Sequence, residues 1–280
     1  MISVCYLVRF EKGKKFIAGL NSLKKFYASY CINKAGTTHK LFILVKGYVI
    51  NKKIKEIKKI IPDNIPIIVV PDESCDLVSF TEFCRYRAEK YMFIINQHSI
   101  ILKKNWLKIY QDVLRKNKLK IVATTASNSS PRDPYLKEKK NLTLFFVDYL
   151  INNIKKIFLK YYYRNFFNYP NPHIRLNAIL VKTSLWIEYF NNLEIKSKFQ
   201  CSEIESGKKS FYNFLKKKKE RVAIARNDKS YVLDQSDWRG FVPFRNSFQK
   251  SKLMLSDPQT QFYKECNVNN KIKLEKESWR

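Results

Sequence analysis

Tyr91-Met92-Phe93-Ile94-Ile95-Asn96-Gln97-His98-Ser99 is the stretch that decides the fold. Five apolar residues run without alternation into four polar ones. A short run that is apolar on both faces predicts a strand covered on both sides of its sheet. Ligands of open parallel sheets bind beyond the carboxyl ends of the strands. Asn96, His98 and Ser99 therefore become candidate site residues by position alone.

The same grammar extends outward in both directions. Residues 2–8 and 41–46 predict two more buried strands, and Ile65–Val70, bounded by prolines, a third. Between the first two, Phe16, Ile17, Leu20, Leu23, Phe26, Tyr27 and Tyr30 share one face of a helix over 14–30. The spacing of 51–61 and 76–89 is also helical. Helix Trp106–Leu114, strand 119–125, a polar loop over 126–135, strand Ala178–Lys182, helix 183–191, a helix over 205–219 and strand 221–226 follow. Strands alternating with helices predict an α/β fold, a mostly parallel sheet flanked by helices on both faces. Arg9, Lys46, Asp72 and Asp76 lie just after predicted strands and join the candidate set. The expected organisation is one domain over 1–226, with 227–280 a C-terminal extension packing on the core and its last dozen residues mobile.

The chain has 280 residues, 45% of them hydrophobic, enough for one sizeable core. Its formal net charge is +30, from 54 Lys and Arg against 24 Asp and Glu. Such a field attracts polyanions in general. The aromatic residues sit in apolar runs rather than in a base-stacking strand motif, so no specific nucleic-acid partner is expected. The segment 141–168 reads as a basic, aromatic-rich amphipathic helix, suited either to an anionic membrane surface or to packing on its own domain. The six cysteines form no Cys-x-x-Cys pair, which argues against a zinc site. Cys5 and Cys84 fall in apolar patterns and are expected as reduced core thiols. The N-terminal run reads as a strand rather than a leader, and no apolar stretch is long enough to span a membrane. The expectation is a cytoplasmic protein, peripheral on the inner face of the cell membrane.

The order of several blocks along the chain adds a resemblance. The blocks are the opening strand and helix, Lys46-Gly47, the stretch Tyr91–Ser99 with Asn105-Trp106-Leu107, and Pro170–Ala178. Glu203-Ile204-Glu205-Ser206-Gly207-Lys208, Trp238 through Phe244-Arg245, and Asp257–Tyr263 complete the set. In this order the chain resembles bacterial glycosyltransferases of the GT-A fold, in particular the family-2-like group. It resembles those members that lack the usual acidic metal motif. The resemblance implies transfer of a sugar from a nucleotide-sugar donor to a cell-surface polysaccharide or a lipid-linked glycan. The alternative it leaves is a non-catalytic binding or assembly protein that keeps the fold.

What the resemblance implies for residues follows the same positions. Arg9, Lys46, Asp72, Asp76, Asn96, His98 and Ser99 fall on the donor side. Glu205, with Glu203 as alternate, falls where the family places an acidic pair, and becomes the candidate base. A helix-opening Glu205 would be held as the anion by the helix dipole, or would simply cap the helix. Asn171, His173, Arg175, Trp238 and Arg245 fall on the acceptor or phosphate side, Arg175 being suited to grip phosphate. Asn96 offers one neutral oxygen and His98 a nitrogen suited to softer metals, so the family's hard Mg²⁺ or Mn²⁺ site lacks its carboxylates. Three readings stay open: the diphosphate is bound without metal by Lys46, Arg9 or Arg175; a metal is recruited by Asp72, Glu73 or Asp76; or catalysis is lost.

Overall fold

The computed structural model describes residues 1–47, 51–72, 75–132, 161–191, 193–233 and 238–280. The expected amphipathic segment lies mostly outside them, as do Glu73 and the end of the expected polar loop.

Eight strands form the central sheet: β1 Ile2–Phe10, β2 Lys40–Gly47, β3 Ile67–Val69, β4 Tyr91–Ile95, β6 Ile121–Ala123, β9 Ala178–Lys182, β10 Ala223–Ala225 and β11 Tyr231–Val232. Their order across the sheet is β11-β10-β6-β9-β4-β1-β2-β3. Two small pairs lie beside it: β5 Ile100–Ile101 with β12 Leu255–Ser256, and β7 Ala126–Ser127 with β8 His173–Ile174. β1 runs parallel to β2 and β4, β2 parallel to β3, and β6 parallel to β10. The expected α/β architecture, a mostly parallel sheet between helices, is what the chain adopts.

Alternation along the strands builds two cores. Cys5 and Leu7 of β1 with Met92 and Ile94 of β4 face one layer, and Val4, Tyr6 and Val8 with Phe93 and Ile95 face the other. Helices α1 Lys14–Ile32 and α4 Trp106–Lys116 cover the second face. Phe26 stacks on Tyr6 at 3.8 Å, and Trp106 meets Phe93 edge-on at 4.9 Å. On the first face lie α3 Asp76–Tyr86 and α5 Thr183–Phe190, bridged where the Trp186 indole N–H donates to Thr81 Oγ1 at 3.0 Å. Helix α2 Asn51–Lys58 lies between β2 and β3.

Two strands run against the rest: β11, which pairs antiparallel with β10 at the sheet's edge, and β9, which matters most for the site. β9 is antiparallel to both β4 and β6, with Ile95 opposite Ala178. Its amino end therefore lies beside the carboxyl end of β4, where the Asn96 N–H donates to the Asn177 carbonyl at 3.2 Å. The segment 171–177 is delivered to the ligand edge of the sheet by this reversal.

Three expectations need correction. The helix expected over 205–219 is two helices, α6 Lys198–Ser206 and α7 Phe211–Lys217. Ser197 and Gln200 form a capping box that starts α6, and Gly207 ends it where a Cβ would meet the Glu203 carbonyl at 2.5 Å. Ser210 then caps α7. The C-terminal residues are helical rather than mobile. After short helices α8 Trp238–Phe241 and α9 Gln249–Lys252, α10 Pro258–Glu265 leads into α11 Val268–Trp279. Trp279 is buried, and its indole N–H donates to the Phe244 carbonyl at 2.6 Å. Finally, Cys5 and Cys84 are free and buried as expected, but Cys75 and Cys201 are joined in a disulfide.

At the described end of the amphipathic segment one residue turns inward, while Tyr161, Tyr162 and Phe167 are exposed. Phe166 is fully buried and its ring lies 5.9 Å from that of Phe199 on α6. Among the described residues no helix is long and apolar enough to cross a membrane.

Candidate active site

Two cavities open at the carboxyl edge of the sheet and share a wall. The smaller, of ≈ 370 Å³, is lined by the ends of β1 and β2, the start of α3 and the first turns of α6. The larger, of ≈ 760 Å³, lies between the end of β4, the segment before β9, the end of α6 and the C-terminal helices. Asp76, Asn96 and Glu205 border both.

In the smaller cavity Arg9, Lys46, Lys196 and Lys198 face Asp72, Asp76 and Glu205. Lys46 is only 1% exposed, with its ammonium 3.3 Å from Asp76 Oδ1. A cation held that deep needs a counter-ion, and Asp76 supplies one. Arg9 reaches Asp72 at 3.2 Å. The Gln97 carboxamide pins the Arg9 backbone, accepting from its N–H at 3.2 Å and donating to its carbonyl at 3.3 Å. The site stretch thus continues the strand pairing with a side chain.

The larger cavity is built differently. The Arg175 guanidinium lies 2.7 Å from the buried carboxylate of Asp257 and 4.1 Å over the Phe244 ring. The Arg245 guanidinium sits 5.0 Å from the same ring and 3.6 Å from Glu277. Phe244 thereby meets two cations, each matched with a carboxylate. Asp257 also caps α10, accepting from the Thr260 N–H at 2.8 Å. His173 Nδ1 faces the Asn171 carbonyl at 2.8 Å, so Nδ1 carries the proton. Burial pushes its pKa down to about 4, and Arg175 acts in the same direction, so the ring is neutral at pH 7.

His98 takes a left-handed backbone, φ 66°, with its N–H donating to Ser22 Oγ at 2.9 Å and its carbonyl accepting from Gln261 at 2.8 Å. Its ring lines the larger cavity, with its pKa lowered by burial and by Lys25.

Glu205 occupies the wall between the cavities. It lies in the last turn of α6 rather than at a helix start, which reverses the expected electrostatics. The dipole there disfavours the anion. The side chain is exposed to cavity space while dense protein surrounds it; desolvation raises its pKa, Arg175 opposes this, and Asp76 adds to it. Asn96 Oδ1 and Asn177 Oδ1 are buried without a hydrogen-bond partner.

Of the residues singled out from sequence, Arg9, Lys46, Asp72, Asp76, Asn96, His98, His173, Arg175, Glu205 and Arg245 line the two cavities. Glu203 does not. It faces a separate surface pocket with Asn165 and Tyr189. Ser99 is buried and lines neither cavity, and Trp238 packs in the core 5.3 Å from Tyr212. Asn171 is also buried; its amide donates to the Ser206 carbonyl at 2.7 Å and fastens the loop to α6. Arg175 is not a free phosphate grip, since Asp257 occupies it. Asp257, Glu277, Asn177 and the serines Ser127, Ser129 and Ser130 line the larger cavity and were given no site role from the sequence.

A hard divalent cation needs several oxygen donors converging on one point. Among the described residues no three His, Cys, Asp or Glu side chains are grouped to hold one. Asp72 and Asp76 are each engaged by a cationic side chain, and Asn96 contributes one neutral oxygen. The described residues do not fit the divalent metal that the resemblance implies.

No family model matches the chain, and no curated protein does. Among solved structures it is similar to the mannosyltransferase Ktr4p from S. cerevisiae in complex with GDP, at 14% identity and a TM-score of 0.38 over 75% of this chain and 62% of that one. It is similar to core-mannan synthase A from Aspergillus fumigatus in its Mn/GDP form, at 10% identity and a TM-score of 0.39 over 74% and 70%. For S. aureus TarS 1–349 the figures are 8% and 0.38 over 71% and 52%. The chain spans less than two thirds of the length of the first of these.

Proposed function

We propose that this chain is a glycosyltransferase that binds a nucleotide-sugar donor in the smaller cavity and a glycan acceptor, on a surface polysaccharide or a lipid carrier, in the larger. The observation that carries this is the shared wall. Group transfer between two substrates needs two sites that meet at a base, and Asp76, Asn96 and Glu205 lie where these two meet.

The chemistry follows from the charges. The acceptor hydroxyl oxygen attacks the anomeric carbon, and the bond from that carbon to the diphosphate oxygen breaks with its electron pair. The hydroxyl proton passes to Glu205, whose raised pKa makes it a better acceptor than an ordinary carboxylate. Negative charge developing on the leaving diphosphate is offset by the excess of cations in the smaller cavity, where Arg9 and Lys46, each shared with an aspartate, stand with Lys196 and Lys198 against three carboxylates in all. In this reading fixed cations of the protein do the work that a metal does elsewhere in the family. The basic surface would favour an anionic membrane carrying the acceptor.

The test is a thermal-shift screen of nucleotide sugars with EDTA and again with Mg²⁺ or Mn²⁺, followed by product analysis. Stabilisation by at least one donor in EDTA, and sugar transfer from it, is the expected result. No stabilisation by any donor under either condition favours the non-catalytic alternative.

A further inference from the structure

We propose that the larger cavity selects an uncharged, hydroxyl-bearing glycan and excludes acceptors carrying phosphate or carboxylate there, and that Asp257 and Glu277 set this preference. This names the acceptor class and rests on the two-substrate reading given above.

The charge inventory is the first support. Four carboxylates, Asp76, Glu205, Asp257 and Glu277, line this cavity against two guanidiniums, Arg175 and Arg245. The two histidines on its wall have lowered pKa values and add no compensating charge at pH 7. This acid-rich chamber sits in a chain of net charge +30. The overall field would draw anions in, and the local carboxylates repel them.

The second support is how the guanidiniums are spent. Arg175 is matched by Asp257 at 2.7 Å and Arg245 by Glu277 at 3.6 Å. An incoming phosphate would have to displace a carboxylate and leave it beside another anion, which like-charge repulsion disfavours. A hydroxyl meets no such conflict. It donates to a carboxylate oxygen and accepts from the adjacent guanidinium, so each ion pair offers both partners side by side.

The volume, ≈ 760 Å³, falls within the range of sites that enclose small ligands.

The experiment titrates mannotriose, cellotriose and chitotriose, and the same trisaccharides bearing a terminal 6-phosphate, into the full chain by ligand-observed NMR. At least one neutral trisaccharide should bind, with its phosphorylated counterpart about tenfold or more weaker. Glu277→Gln and Asp257→Asn should each shrink that difference to about threefold or less by freeing Arg245 or Arg175. Asn caps a helix as well as Asp does, so the second variant keeps α10, and the two variants stand independently. The proposal is overturned by a phosphorylated probe binding as tightly as its neutral partner. Silence from every neutral probe, or an unchanged preference in both variants, also overturns it. Nucleoside diphosphates titrated alongside report on the smaller cavity. Their failure to bind strikes the donor reading and leaves the acceptor preference to stand or fall on its own titration.

Discussion

The two cavities differ in the sign of their charge although they share a wall. The smaller sets Arg9, Lys46, Lys196 and Lys198 against three carboxylates, whereas the larger sets two arginines against four. The smaller draws its residues from the first half of the sheet and from α6. The larger borrows from the segment before β9, from α10 and from α11. The comparison teaches that the proposed donor and acceptor functions rest on different parts of the chain, joined only at Asp76, Asn96 and Glu205. Each half should therefore fail independently in binding, and a change at the wall should stop the transfer that needs both.

The largest effect is expected at that wall. Glu205→Gln should lower transfer by about 10²–10⁴-fold while nucleotide binding survives. Undiminished turnover in this variant would remove Glu205 from the mechanism. Its stability has a definite sign. The folded pKa of Glu205 lies above its ordinary value of 4.5, so the folded chain holds the extra proton and loses stability as pH rises through that window. The glutamine variant is therefore expected to melt no lower than the parent at pH 7.

The disulfide sharpens the contrast next. Cys75 and Cys201 line only the smaller cavity and close a loop across 126 residues. Their joint replacement by serine should cost on the order of 2–4 kcal/mol in denaturant unfolding. It should also weaken nucleotide binding more than glycan binding. Equal losses at the two sites would contradict the division.

On the other side, His173 belongs to the larger cavity. Its pKa falls to about 4 from 6.5, so the unfolded chain binds more protons in that interval. Stability should drop as pH falls from 6.5 to 4, by at most about 3 kcal/mol. Pairwise melts of the parent and His173→Gln across that range should converge at the acid end. A flat parent profile counts against a buried neutral ring. The smallest of these effects is expected at Lys46, where Lys46→Met should weaken nucleoside diphosphates by about 10–100-fold, or about 1.4–2.7 kcal/mol. Neutral glycan binding should be untouched.

The parallel core was legible because β1, β2 and β4 are unbroken apolar runs, and the edge rule then pointed to Arg9, Lys46 and Asn96 without any contact being known. The direction of β9 was not legible. An apolar run of five residues carries no sign of whether it runs with its neighbours or against them, and that direction is what brings Arg175 to the site. Asp257 and Glu277 were missed for a related reason, since their partners are 82 and 32 residues away in sequence. Helix α11 is polar along most of its length and is anchored by Trp279, a signal too sparse to read as a buried end. The Glu205 error was avoidable: Ser197 with Gln200 three residues later is a capping box, and Gly207 marks the stop.

The most direct test of the central claim is calorimetry of nucleoside diphosphates (UDP, GDP, ADP, CDP and dTDP) in EDTA, with the parent chain and Lys46→Met. The account predicts saturable binding of at least one diphosphate without metal, lost or weakened about tenfold or more in the variant. Binding that appears only with Mn²⁺, or that is unchanged without Lys46, would contradict it.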